Sequence, residues 1–338
     1  LARELEALER TPPDLDAALD ETIGDDLLRL VFIACHPILA PESRVALTLR
    51  VLGGLTTDEI ARAFLAPEPT IAQRIVRAKR TLADKRIPFE VPRGPEFAAR
   101  LSSVLEVIYL IFNEGYSATA GDDLMRPALC EDALRLGRIL AELTPAEPEV
   151  HGLVALMEIQ ASRTRARATS TGEPVLLLDQ NRAQWDQLLI HRGLAALERA
   201  HKFNATRGPY LLQAEIAACH ARARTPSETD WTRIVLLYTE LAQVTPSPVI
   251  ELNRAVAVSM AQGPQAGLTL VEALASEPSL ARYHLLPSVR ADLLFKLGRH
   301  PEARTEFERA AALTRNNRER GLLLARAASC DDEGRGRL

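Results

Sequence analysis

Aromatic side chains make up only 4% of the 338 residues, and β-branched runs bounded by turns are almost missing. Helix is the expectation throughout. Four cysteines, Cys35, Cys130, Cys219 and Cys330, stand too far apart for a CxxC spacing, so neither a metal site nor a secreted disulfide scaffold is expected. Seven histidines are scattered without HxxxH or HExxH, and Walker A, GxGxxG and GxSxG patterns are absent. The expectation is a protein without cofactor that acts by binding rather than as an enzyme, since no nucleophile, base and orienting group come together. No window approaches 18 consecutive apolar residues, and no charged segment with a following apolar core opens the chain. A cytoplasmic protein with no membrane partner is expected.

Net positive charge is absent overall, the formal net charge being −4, which makes one local excess informative. Between Pro69 and Arg86 stand six Lys/Arg (Arg74, Arg77, Lys79, Arg80, Lys85, Arg86) against one acid, Asp84. Ile71, Ile75, Ala78 and Leu82 recur there at i, i+4, i+7 and i+11, one face of a 3.6-residue period. Thr70, Gln73, Arg74, Val76, Arg77, Lys79 and Arg80 lie off that face. Just before it, Ile60, Ala61 and Phe64 make a short apolar stripe behind a capping signal at Thr56 or Thr57, with Asp58 and Glu59 in the first turn. Pro67 and Pro69 force a turn between the two helices. Short capped helix, turn and cationic helix together predict a helix-turn-helix.

Asp25 to Leu82 resembles the region 4 domain of a bacterial extracytoplasmic-function (ECF) sigma factor, of the sigma-70 family. VLEVIYLIFNEGYSAT (Val104 to Thr119) and VLLLDQNRAQWDQLLI (Val175 to Ile190) resemble the ECF group with a C-terminal extension of tetratricopeptide-like (TPR) repeats. The resemblance implies that the domain docks on the β flap of RNA polymerase while its last helix reads the promoter −35 element. Gln73, Val76, Arg77 and Arg80, at i, i+3, i+4 and i+7, form the stripe that follows the major groove. Gln73 and Arg77 are expected at base edges, and Thr70, Arg74, Lys79 and Arg80 on phosphates. The family's promoter-melting region 2 would precede this chain. LARELEALER at the start reads as mid-helix, so a fragment lacking region 2 is expected.

The expected architecture is all-α: a four-helix region 4 domain followed by a TPR-like α-α superhelix. Residues 1–24 read as the end of a linker, 25–87 as the sigma domain, 88–145 as a connecting helical segment, 146–328 as the repeats and 329–338 as a disordered tail. Pro88, Pro92 and Pro95 mark the boundary after the cationic helix, and an apolar helix from Phe97 to Asn113 follows. Glu114 is read as a carboxylate satisfying loop amides, and Cys35-His36 as a buried thiol and a capping imidazole. Toward the C-terminus, Arg254-Ala255-Val258-Ala261 aligns with Arg290-Ala291-Leu294-Leu297 at an offset of 36 residues, and Gly267-Val271-Leu274 with Ala303-Phe307-Ala310, a repeated helix pair. Val175 to Leu178 is a short strand or an extended plug. Asn253, Arg254, Arg290 and Asp292 are candidates for a concave face, which would bind peptide or another domain of the same chain. Such an intramolecular contact would control the DNA-binding domain. The alternative is a TPR-type interaction scaffold, with an unknown protein partner, whose helix-turn-helix docks protein rather than DNA.

Overall fold

The computed structural model describes residues 26–203 and 205–335; the expected linker, 1–24, lies outside them. The described residues are all-helical, with fifteen α-helices. They are α1 (26–34), α2 (Pro41–Val51), α3 (Thr57–Ala63), α4 (Glu68–Asp84), α5 (Pro95–Tyr116), α6 (Pro127–Leu143), α7 (Pro148–Ala161) and α8 (Gln187–His201). Then follow α9 (Pro209–Arg222), α10 (Trp231–Val244), α11 (Pro248–Gln262), α12 (Pro264–Ala273), α13 (Leu285–Lys296), α14 (His300–Leu313) and α15 (Asn317–Arg335). Proline is the first residue of α2, α5, α6, α7, α9, α11 and α12, where its missing amide hydrogen costs nothing and its fixed φ favours helix. No helix among the described residues is long and apolar enough to cross a membrane.

Two compact units divide the chain, one comprising residues up to 62 with 66–107, the other 63–65 with residues from 108 onward. In the first, Phe32 of α1, Leu49 of α2, Ile60 of α3 and Ile71 of α4 are almost fully enclosed. The first half of α5 completes this core with Leu101, Val104, Leu105 and Val107, so the compact unit runs past the prolines after residue 87. Four hydrogen bonds hold it there. Arg44 donates to Ser103 Oγ at 2.5 Å and to Glu106 Oε2 at 2.8 Å, Arg100 to the Phe32 carbonyl at 2.9 Å, and Ser103 to the Cys35 carbonyl at 2.6 Å. Burial pushes the Cys35 thiol up to about 11, and the His36 ring accepts from the Ile38 amide at 3.0 Å.

In the second unit successive helices pack on one another from α6 to α15, and α7 also packs on α9 and α11 on α13. The 36-residue offset is realised in α11–α12 and α13–α14. Ala255 and Ala291, Val271 and Phe307 are buried at equivalent places. At Gly267 a Cβ would stand 2.5 Å from that of Ser259 and 2.9 Å from the Ala255 carbonyl, so the close crossing of α11 and α12 requires glycine.

Two expectations are narrowed or corrected. Of the two readings of Val175 to Leu178, the strand is not formed: only an isolated bridge, Ala168 to Pro174, occurs nearby, and Leu177 packs on the Ala166, Trp185, Ile190 cluster. Residues 329–335 of the expected tail are not unstructured either, and 336–338 lie outside the described residues. α15 continues to Arg335, because Leu323, Ala327 and Cys330 share one face and close the core of α13 and α14. Glu114 does accept a loop amide, that of Thr119 at 3.4 Å, and also pairs with Arg126.

The ends of the second unit meet. Asn316, fully buried, donates from Nδ2 to the carbonyls of Ala118 at 3.1 Å and Asp123 at 2.9 Å. Gly121 exchanges backbone bonds with Arg315 and Asn317 on either side. The loop after its first helical segment is thereby clasped to the start of its last helix.

Candidate nucleic-acid interface

α3 begins with a reciprocal cap. The Glu59 amide donates to Thr56 Oγ1 at 3.2 Å, while the Glu59 carboxylate accepts from the Thr56 amide at 2.7 Å and hydroxyl at 2.9 Å. This is a capping box with Thr56 as N-cap. The Thr56 amide, then its hydroxyl, hold the Glu59 carboxyl below its ordinary range. α3 ends with Leu65 at φ 48° and an Ala66 amide bonded to the Ala61 carbonyl at 3.0 Å, a Schellman turn with leucine where glycine is usual. α4 closes identically, with Arg86 at φ 50° and the Ile87 amide on the Leu82 carbonyl at 3.1 Å. Both helices are therefore terminated by their own backbone.

α4 is amphipathic in the sense its spacing requires. Ile71 is 1% exposed, Ile75 7% and Ala78 1%, packed against α2, and Leu82 is half-buried. The outward side carries Gln73, Val76, Arg77, Lys79 and Arg80, all exposed, while Thr70 and Arg74 are half-buried at its margin. Arg80 lies 3.4 Å from Asp84 in an exposed i,i+4 pair, which water screens and which costs little to open. Gln73, Arg74, Arg77 and Lys79 have no hydrogen-bond or ion-pair partner among the described residues. The isoleucines point in and the cations point out. Val76, 64% exposed, is an apolar side chain held in water among cations, and such a group suits a thymine methyl.

The four candidates in the repeat region fare differently. Arg254 pairs with Glu251 at 2.7 Å, Arg290 with Glu306 at 2.8 Å, and Asp292 with Lys296 at 2.7 Å and Arg326 at 2.5 Å. Burial alone would raise the Asp292 carboxyl, but the bonds from Lys296 and Arg326 outweigh it and hold the group below its ordinary range. Asn253 is exposed and lines a cavity. No group of three or more His, Cys, Asp or Glu among the described residues could hold a metal.

A second cationic cluster lies outside the candidates named from the sequence. Arg163, Arg167 and Arg182 gather around Tyr116 and Trp185, and none has a carboxylate partner among the described residues. The signal for it is the absence of any acid between Glu158 and Glu173, where Arg163, Arg165 and Arg167 stand.

Residues 29–82 match the family model for Sigma-70, region 4, and residues 100–201 match a family of unknown function, DUF6596. "Uncharacterized protein R00370" of Rhizobium meliloti (strain 1021) is 48% identical over 295 residues, spanning 87% of this chain and 69% of the relative. The chain belongs to the R00370 family. Within this family member, α1 to α4 form a sigma-70 region 4 helix-turn-helix domain, whose matched residues end at Leu82. The "ECF RNA polymerase sigma-E factor" of Haemophilus influenzae (strain ATCC 51907 / DSM 11121 / KW20 / Rd) is 35% identical over 75 residues, 22% of this chain and 39% of that protein. No solved structure matches the R00370-family chain. A sigma-factor-like DNA-binding role follows for its first unit.

Proposed function

We propose that the chain is an ECF-type transcription initiation factor that recognises the promoter −35 element through α4 and docks its region 4 domain on the polymerase β flap. It acts by binding, without bond-making chemistry. The observation that carries this reading is the outer face of α4: Gln73, Val76 and Arg77 exposed, with neither polar group occupied inside the described structure. Glutamine and arginine at this spacing match adenine and guanine edges, and the surrounding cations match phosphates. The test is selection of duplexes from a random library by the whole chain with RNA polymerase. Enrichment of one short element, lost in a Gln73→Ala, Arg77→Ala double variant, is expected. Retention of all duplexes alike would overturn the reading.

The second unit, in this proposal, is a TPR-like extension that controls the first by intramolecular contact. Supporting it are the repeated helix pair α11–α12 and α13–α14 and the size of the extension relative to a domain whose task needs about sixty residues. Loosening the extension with Asn316→Ala should change affinity for the selected element. Unchanged affinity counts against control by the extension, without touching the DNA reading.

A further inference from the structure

A cavity of about 270 Å³ lies within the second unit, between α5, α7, α9, α10 and α11, with Asn113 and Asn253 exposed at its rim. It has room for roughly nine water volumes. Its lining includes Tyr109, Tyr238, Gln160, His220 and Arg163, and no aspartate or glutamate. Arg163 donates to the Tyr116 hydroxyl at 2.7 Å and to Gln160, neither of which bears charge, and its Nε is enclosed with no partner. Arg167 stacks 3.7 Å over the Tyr116 ring with its own Nε enclosed and unpartnered. Arg182 spends its donors on the His220 and Ala223 carbonyls and Thr229. A guanidinium in a confined, weakly solvated site with no counter-charge is costly, and an anion entering the cavity relieves that cost.

We propose that this cavity binds a small organic anion, whose carboxylate or phosphate group pairs with Arg163 and whose apolar part lies against the rings of Tyr109 and Tyr238. The hydroxyls of these two tyrosines have no protein partner among the described residues and supply donors for a second oxygen. Burial pushes the Tyr238 phenol up to about 12, so it remains a donor. Leu156, Ile216 and Leu241 provide the apolar wall, the composition expected of a small-ligand site with few convergent polar groups. The inference rests on the second unit alone and is independent of the DNA reading.

The experiment titrates the whole chain with phenyl phosphate and with benzoate, using benzyl alcohol as the uncharged counterpart. Tryptophan fluorescence is the readout, since Trp185 lies 5.8 Å from the Arg163 guanidinium and 4.9 Å from that of Arg182. At least one anion should saturate with a Kd about tenfold or more below that of benzyl alcohol. Arg163→Gln should abolish the preference, while Arg192→Gln, in a different groove lined by Arg138 and Phe203, should leave it intact. Tyr238→Phe should weaken the anion several-fold without altering the melting of the free protein, which keeps the test open if Arg163→Gln does not fold. Saturation by neither anion, equal binding of benzyl alcohol, or a preference surviving Arg163→Gln would overturn the proposal.

Discussion

Arg182 donates from Nη1 to the backbone carbonyl of His220 at 2.7 Å, which places a guanidinium against a buried imidazole. Burial first, then the charges of Arg163 and Arg182, push His220 down from 6.5 to about 4. The ring is therefore neutral in the folded protein at pH 7, with its Nδ1 enclosed and its plane edge-on to Trp231. A histidine whose folded value is lowered takes up its proton more readily when unfolded, so stability is lost as pH falls from about 6.5 toward 4 and levels off below that. The loss is on the order of 3 kcal/mol. His220→Gln should remove that part of the pH dependence. Chemical denaturation of both proteins at pH 7, 5.5 and 4 checks it: a difference between them that stays constant with pH would show that His220 does not titrate in this way.

On α4, Arg77 and Arg80 separate the two kinds of contact. Arg77→Ala should cost about 1–3 kcal/mol on the preferred duplex and relax its sequence preference. Arg80→Ala should weaken every duplex alike and lower the slope of affinity against salt. Competition binding over a salt series distinguishes them, and equal losses on specific and random duplexes for both variants would contradict the assignment.

Arg86 holds φ at 50° after α4, a conformation that costs a residue with a Cβ roughly 1–2 kcal/mol. Glycine relieves this but gains freedom in the unfolded chain. Arg86→Gly should be more stable by about 0.5–1 kcal/mol, read as a raised denaturation midpoint. A lowered midpoint would mean that the arginine side chain contributes more than its backbone costs.

Glu149 supplies the start of α9 with acceptors from outside that helix. Its carboxylate takes the amides of Gly208 at 3.1 Å, Tyr210 at 2.9 Å and Leu211 at 3.2 Å. Glu149→Ala should cost about 1–2 kcal/mol. Glu149→Gln keeps one oxygen as acceptor and should lose less. Thermal melts that rank glutamine as low as alanine would remove the capping explanation.

The parts of this chain that could be read from sequence are those whose partners are near in sequence. The inward isoleucines of α4 and the outward Gln73, Arg77 and Arg80 follow from a 3.6-residue period and a local charge excess, and the 36-residue offset follows from small residues recurring where helices cross. In the sequence Thr56 and Thr57 are equivalent as caps; in the structure Thr56 caps α3, bonded to Glu59 three residues on. Longer-range relations carry no such signal. Arg44 sits on α2 like a surface charge, yet it is 7% exposed because Ser103 and Glu106 arrive from α5. Arg163 meets Tyr116 across 47 positions, and only the missing acids around it hint at the cavity. The end of α15 reads as a tail because Cys330 is followed by charged residues, while the apolar face that holds the helix is set by α13 and α14.

The clasp at Asn316 joins positions 198 apart in the chain. A stack of helix pairs with two free ends melts inward from whichever end is weaker, since a terminal pair has a neighbour on one side only. Here the loop beyond α5 and the start of α15 lend each other the neighbour that each would lack. Hydrogen exchange in α15 should consequently be slowed as much as in the middle of the array, and cutting the clasp should let that helix exchange first.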